Sequence, residues 1–539
     1  MKDNFRQSMA WLHTWSGLYL GWLLFVIFLT GTICVFDDPI TRWMQPEKQE
    51  VEAEQDQMLP LAQRLQALQH GQQFLQQTAP NSHFWSISLP SQQRQYVRVG
   101  WQDEDKKFQR EKLDFKTGDK LKDETVRDTE GGHHFVHMHF ELHAGDTGIW
   151  MVGAATIAML VALVSGIVVH KKIFKDFFTF RRNKGQRSWL DAHNALGVLT
   201  LPFLFMIAYT GLVIFYSFYM PAGVLANFDN RQSYFAEVFK RPPHRDEQHV
   251  AASVLPLGPL LEKAEQRLGR EVSFMSVEHP GDLSATAAAS GKINDDYNKN
   301  RLLFLVGGSV MFDAVTGQEL DTQMPETWRG SDALKMQRVM NNLHRLFYAD
   351  YALKWLYFIS GLAGAAMMAT GLILFTVKRR KRQENEFGAM TTQGYLLIEK
   401  LNVAIVAGLM IACIGYFWAN RLIPLEVAER AAWEIRAFFG IWVVTAFYAL
   451  WRNPAKAWIE QLLTAALMCL TLPVLNWATT GQHLGVYLAQ QDWERALVEI
   501  TAIGLGALLA YAAYKLKCRK TAPVKTNSKR AMLAETEVA

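Results

Sequence analysis

Residues 11–36 read WLHTWSGLYLGWLLFVIFLTGTICVF, and residues 190–211 read LDAHNALGVLTLPFLFMIAYTG. In the first stretch His13 is followed by Gly17 and then by Thr30-Gly31. In the second, His193 is followed by Gly197 and then by Thr210-Gly211, every spacing identical at an offset of 180. Two further apolar stretches repeat in the same manner: His139 precedes Ser165-Gly166 by 26 residues, and His344 precedes Thr370-Gly371 by 26. Between them, Asp114-Phe115-Lys116-Thr117-Gly118 corresponds to Asp313-Ala314-Val315-Thr316-Gly317, a D-x-x-T-G turn after a β-like run. Self-similarity of this kind marks an internal duplication. The repeated unit is an apolar span, a polar segment and a second apolar span.

Working outward, apolar runs of about 20 residues, long enough to cross a hydrocarbon core, predict eight spans, at roughly 14–36, 149–170, 192–216, 352–377, 401–419, 435–451, 457–478 and 497–516. These reconcile 50% hydrophobic residues with a mean hydropathy of -0.02 over 539 residues. With 17 Trp, 32 Phe and 16 Tyr, disorder is excluded. The four cysteines (Cys34, Cys413, Cys469 and Cys518) form no C-x-x-C, which argues against iron–sulfur, covalent c-type haem and disulfide frameworks. The net charge of +5 is topological rather than a mark of nucleic acid. Lys171, Lys172, Lys175, Arg181, Arg182, Lys184 and Arg187 follow the second span, the run KRRKR at 378–382 follows the fourth, and Arg452, Lys456 and a basic tail complete the set. The positive-inside rule places them all in the cytoplasm, with both termini. The first span lacks a small-x-small cleavage site and reads as a retained anchor. Residues 37–148 and 217–343 then lie outside, in the periplasm of a bacterial cell. Each has helical spacing (58–78 and 257–268) followed by strand-like runs (83–89, 95–101 and 111–116; 272–278, 284–290, 302–306 and 309–314). A helix packed on a small antiparallel sheet is expected for each. Asp114 and Asp313 read as turn formers.

Histidine within a membrane is costly unless it is hydrogen-bonded or ligates something. His13 and His193 open the first and third spans, His170 closes the second, and His139 and His344 stand at the entrances of the second and fourth. A duplication packed about an axis along the membrane normal would bring equivalent histidines face to face, one pair on each side. Two facing imidazoles suit bis-histidine ligation of haem, which leaves no open iron position and favours electron transfer. Interfacial histidines that merely hydrogen-bond are the plain alternative. The glycines at 17, 31, 166, 197, 211 and 371 make room either for a flat macrocycle or for another helix. On a straight helix, the 17 residues from His13 to Thr30 rise about 26 Å, so one haem near each face would make an electron path. His170 has no repeat partner, since Phe375 occupies its equivalent; it is an alternative ligand or a propionate contact. His139 and His143 are i, i+4 on one helical face, one for iron and one for a propionate or substrate. His133, His134 and His137 are polar loop residues or lie near an iron substrate, and a zinc site is open from spacing alone.

Leu12-His13-Thr14-Trp15-Ser16-Gly17-Leu18, His139-Phe140-Glu141-Leu142-His143, Leu190-Asp191-Ala192-His193, Asn342-Leu343-His344-Arg345-Leu346, the Thr-Gly pairs and both D-x-x-T-G turns resemble the PepSY-associated transmembrane helix family, over roughly residues 5–382. That family includes iron-regulated inner-membrane proteins and siderophore reductases. The resemblance implies an α-helical integral membrane protein with about eight transmembrane helices and two α+β PepSY-like periplasmic domains inserted in a duplicated helix pair. The divisions are then 1–36, 37–148, 149–216, 217–343, 344–382 and 383–539. It also implies two non-covalent b-type haems held by His13, His139, His193 and His344, with His143 and His170 as further candidates and His133, His134 and His137 on the substrate side. The activity it implies is reduction of a ferric siderophore outside the inner membrane. No G-x-G-x-x-G after a strand and no P-loop is present, so the electrons come from a quinol or a cytoplasmic reductase. A transporter without redox chemistry and a membrane-anchored regulatory binding protein are the rival classes. Spans 401–516 exceed the family core and contain no histidine outside the loop residue His483.

Overall fold

A computed structural model describes residues 2–48, 56–103, 107–121, 126–170, 181, 186–230, 233–235, 245–293, 302–303, 307–325, 332–347, 349–383 and 389–521. Most of the basic loop at 171–187, the tail lysines beyond 521 and the greater part of the strand expected at 302–306 lie outside the described residues. The chain forms two compact units, residues 1–46, 127–201 and 361–539 in one, residues 47–126 and 202–360 in the other.

Among the described residues, seven helices are long and apolar enough to cross a membrane: Gly145–Val169, Gln186–Ile214, Tyr351–Lys378, Gln393–Leu422, Arg430–Trp451, Pro454–Thr480 and Trp493–Cys518. The eighth expected span is broken. Asn4–Tyr19 and Gly21–Cys34 meet at an angle of 61°, so the straight 26 Å rise expected between His13 and Thr30 does not exist. The cause is local. Thr14 and Ser16 turn their hydroxyls back to the carbonyls of Ala10 and Leu12 at 2.7 and 2.6 Å, an arrangement that bends helices. Gly17 and Gly21 flank the joint with no side chain to stiffen it.

Gln393–Leu422 differs from the other spans: 61% of its apolar window is buried within the protein, against 17–39% elsewhere. It is the central element of the C-terminal bundle. It carries one π-turn at Val403–Ala407, where the Trp442 indole donates to the Ala404 carbonyl at 3.1 Å. Just before this turn, buried Asn402 accepts from the Trp22 indole at 2.8 Å and donates to the Leu372 carbonyl at 3.2 Å. The bundle is thereby keyed to the first and fourth spans.

In the other unit the expected α+β segments are both present, and they merge. β1 (Phe84–Ser88), β2 (Tyr96–Gln102) and β3 (Phe108–Asp114) come from the first segment; β4 (Val272–Glu278), β5 (Thr286–Gly291), β6 (Ser309–Asp313) and β7 (Glu319–Gln323) come from the second. They form one antiparallel sheet in the order β3-β2-β1-β4-β5-β6-β7. The seam is the β1–β4 pair, in register from Phe84↔Glu278 to Ser88↔Phe274. Helices Leu61–Thr78 and Leu257–Leu268 share a single core with the sheet, in which Leu68, Leu75, Ile87 and Val97 from the first half join Leu261, Met275, Ala287 and Phe312 from the second. Asp114 and Asp313 do form turns. Each accepts from the backbone N–H groups two and three residues on, at 2.8–3.0 Å. These amides, from Thr117 first and Lys116 next, hold the Asp114 carboxyl below the usual carboxylate range.

Candidate functional site

The four repeat-matched histidines occupy four copies of one cradle. A glycine on a neighbouring helix leaves a notch, and the imidazole fills it. A Cβ at Gly166 would lie 3.1 Å from the His13 ring, one at Gly371 would lie 3.0 Å from His193, one at Gly211 would lie 3.0 Å from His344, and one at Gly31 would lie 2.5 Å from His139. The sequence reading assigned these glycines to a macrocycle or to helix packing; they make room for the imidazoles themselves. Gly17 has nothing within 4 Å, and Gly197 meets only the adaptable Met367 sulfur.

The residue before each glycine explains the recurring Ser/Thr-Gly pair. Thr30, Ser165, Thr210 and Thr370 return their hydroxyls to carbonyls three or four residues earlier at 2.8–3.1 Å, so no polar group is stranded beside the notch. The imidazole Nδ1–H donates into the same turn: His13 to the Ala162 carbonyl at 2.8 Å, His139 to Ile27 at 2.8 Å and His193 to Met367 at 2.9 Å. In the fourth cradle His344 Nδ1 meets the Thr210 hydroxyl oxygen at 3.1 Å. A ring that donates from Nδ1 carries its lone pair on Nε2, the arrangement of a metal-binding histidine oriented by a backbone carbonyl.

His13 and His193 come together, with ring centres 6.3 Å apart and planes at 66°. One metal ion bonded to two imidazole nitrogens at ~2.0–2.1 Å each sets the ring centres ~6 Å apart. This pair therefore fits bis-histidine ligation. His139 and His344 sit in short helices, His133–Phe140 and Asp332–Arg345, that precede the second and fourth spans. Each has its cradle within its own unit.

The remaining histidines have other tasks. His143 does not share a helical face with His139 as the i, i+4 spacing suggested. The helix ends at Phe140, and Leu142 and His143 turn into the left-handed region (φ 55° and 51°) before the next helix starts at Gly145. The turn points His143 at His134, whose Nδ1 lies 3.0 Å from His143 Nε2. His134 is fully buried, stacked 4.3 Å from the Tyr416 ring and edge-on to Phe438. Burial, with His143 and His137 adding to it, pushes the His134 imidazole down to about 3. His133 faces the Asp37 carboxylate at 3.2 Å, and His137 bonds Glu141. His170 caps the second span's helix at its C-terminal end.

The C-terminal bundle contributes a polar network that sequence reasoning missed. Glu434 and Arg430, both fully buried, form an ion pair; Asn420 donates to Glu434 at 2.7 Å, and Thr129 bonds the same carboxylate. Arg127 donates to the Asn420 carbonyl at 3.1 Å, and Arg430 donates to that of Asp128 at 3.0 Å. Arg421 lies 3.8 Å over the Trp43 ring and donates to Asn476 at 2.7 Å, which in turn donates to Glu499 at 2.8 Å. The network grips residues 43–45 and 127–131, the two strands of chain that flank the sheet-bearing insertion, and with Tyr416 it seats the helix carrying His139. Four charges inside apolar helices, Arg421, Arg430, Glu434 and Glu499, were the available sign. Glu434→Ala strands the Arg430 cation in a dry site, which costs about 3–5 kcal/mol. A clearly lowered thermal unfolding temperature of the detergent-solubilised protein, with Glu434→Gln milder than Glu434→Ala, is the expected result.

Two likenesses to known proteins bear on this arrangement. Residues 10–378 match the PepSY-associated TM region. The chain is also 24% identical over 410 residues to an uncharacterized protein of Pseudomonas aeruginosa, covering 72% of this chain and 95% of that relative.

Proposed function

The chain belongs to the PepSY-associated TM region family, and from that premise we propose that it is a two-haem ferric-siderophore reductase of the bacterial inner membrane. The observation that carries this reading is the fourfold cradle, in which Nδ1 is occupied and a glycine notch fixes the ring. In three of the four the carbonyl partner fixes the tautomer with Nε2 free, the form a metal-binding histidine takes. His13 and His193 would hold one b-type haem, and His139 and His344 are each candidate ligands for a second. Bound haem would supply one-electron transfer.

The chain's own residues do the rest. The carbonyls of Ala162, Ile27 and Met367 and the Thr210 hydroxyl hold the rings in one tautomer and orientation. The apolar helices keep water and protons away from the path. Each ferric ion takes up one electron; a quinol donor gives up two with release of two protons, and a cytoplasmic reductase delivers them from its own cofactor. Fe(II) is the poorer match for a siderophore's hard oxygen ligands, so reduction loosens the chelate.

The test is the absorption spectrum of the purified protein. A Soret band with a sharp α-band on reduction, at two haems per chain by pyridine haemochromogen, is expected. The reduced protein should reoxidise on mixing with a ferric siderophore, with ferrous iron trapped by a chromogenic chelator. A colourless protein refutes the reading. Siderophore flux that persists without any electron donor would favour a transporter instead.

A further inference from the structure

The duplicated halves join at a cluster that takes no part in the cradles. The β1–β4 register pairs Phe84 with Glu278, so the next residues on each strand, His83 and His279, stand opposite one another at the end of the seam. The His279 N–H donates to the His83 carbonyl at 2.9 Å, and the two rings are 6.2 Å apart, edge to face. Between them comes Glu247. One of its carboxylate oxygens lies 3.5 Å from His83 Nδ1 and 4.0 Å from His279 Nδ1, and the other lies 3.9 Å from His249 Nδ1. The three ligand atoms of His83, Glu247 and His279 all lie within 4.8 Å of one another.

We propose that His83, Glu247 and His279 form a binding site for a divalent first-row transition-metal ion. Two imidazoles and one carboxylate are a donor set that suits Zn(II) and Fe(II) and is poorly matched to Mg(II), which prefers oxygen and water. Three protein ligands leave a coordination position open to water or to an incoming group.

The support behind the ligands is built in. Glu247 has no strand or helix of its own to hold it. Its segment is tied down by Asp282, whose two carboxylate oxygens accept from the backbone N–H groups of Gln248 at 3.0 Å and Val250 at 2.9 Å. Asp282 also accepts from the Ser284 amide and hydroxyl, and it belongs to the turn that begins at His279, to whose carbonyl its N–H donates at 3.1 Å. One buried carboxylate thus fixes Glu247 to His279. His279 itself is held at a φ of 50°, a conformation uncommon for a residue with a side chain. Glu247 also lines a cleft of about 670 Å³ with Arg245, Leu283 and Thr316, and the half-exposed His83 side chain leaves the cluster open to an ion.

This site goes beyond the reductase reading and does not depend on it, although ferrous iron is a cation of the class it would take. The test uses the full-length protein in detergent, with Zn(II) as the probe, by isothermal titration and by metal analysis after gel filtration. One Zn(II) per chain is expected, not displaced by millimolar Mg(II). His83→Ala and Glu247→Gln should each weaken binding by at least ~10-fold, the lower end of what losing even an outer-shell partner costs. His83 is half-exposed, so its removal leaves the core intact, and unchanged unfolding temperature and haem content in that variant verify this. No Zn(II) bound by the wild type, equal competition by Mg(II), or undiminished binding in the His83→Ala, Glu247→Gln double variant overturns the proposal. So does zinc that is lost only when His133 and His137 are replaced.

Discussion

His13→Ala and His193→Ala each remove one haem, the same one, and the double variant loses no more than either single. The expectation follows from ring centres 6.3 Å apart within one unit. If both imidazoles serve one iron, as proposed, deleting either removes one of its two protein ligands and leaves a void where a ring was held by its Nδ1–H. Losing one of its two protein ligands should release this haem, and about half of the Soret absorbance should disappear. His139→Ala is the control, since it removes the other haem and adds to either variant. Haem per chain, measured by pyridine haemochromogen on protein of matched concentration, reads the result. If His13→Ala and His193→Ala remove different haems, so that the double variant is colourless, the pairing is wrong.

The second large effect comes from a methyl group. Gly31→Ala should empty the His139 site although no ligand is touched. A mid-helix Gly→Ala change ordinarily stabilises, by up to ~1 kcal/mol through backbone entropy. Here the new Cβ would stand 2.5 Å from His139 Nδ1 and 2.6 Å from its Cε1, closer than any real contact. The ring must leave the notch, which breaks its bond to the Ile27 carbonyl and swings Nε2 away from its line. The steric cost wins because the neighbour is a ring on a short helix with no room to give. Gly211 and Gly371, whose Cβ positions fall 3.0 Å from His344 and His193, should show partial haem loss or a shifted midpoint potential. Gly17→Ala, with nothing within 4 Å, should retain both haems. Full haem in Gly31→Ala would show that the notch is not needed.

Much of this arrangement was legible because duplication writes a pattern twice. The His-to-Ser/Thr-Gly spacings stand out at matched offsets, and hydropathy alone locates all eight apolar segments. What the sequence withheld was mostly non-local. The β1–β4 pairing joins residues almost two hundred positions apart, and nothing in the alternation of Phe84–Ser88 tells which strand it will meet. The bend at Leu20 depends on hydroxyls turned inward at Thr14 and Ser16, which a hydropathy window averages away. The same averaging hid Arg421, Arg430, Glu434 and Glu499, single charges diluted by long apolar helices. His143 misled for a different reason: i, i+4 spacing was assumed to stay helical through Glu141-Leu142, where the chain in fact turns.

The continuous sheet also bears on how the protein is made. During synthesis the first insertion emerges with β1 complete and its outer edge bare, because β4 has yet to be translated. Until two more membrane segments have been threaded and the second insertion has emerged, that row of unpaired amides and carbonyls is open to any passing strand, including one from another copy of the nascent chain. Closure at the seam is thus a late event of high contact order. Newly made chains therefore pass through an interval in which half a sheet waits for its partner.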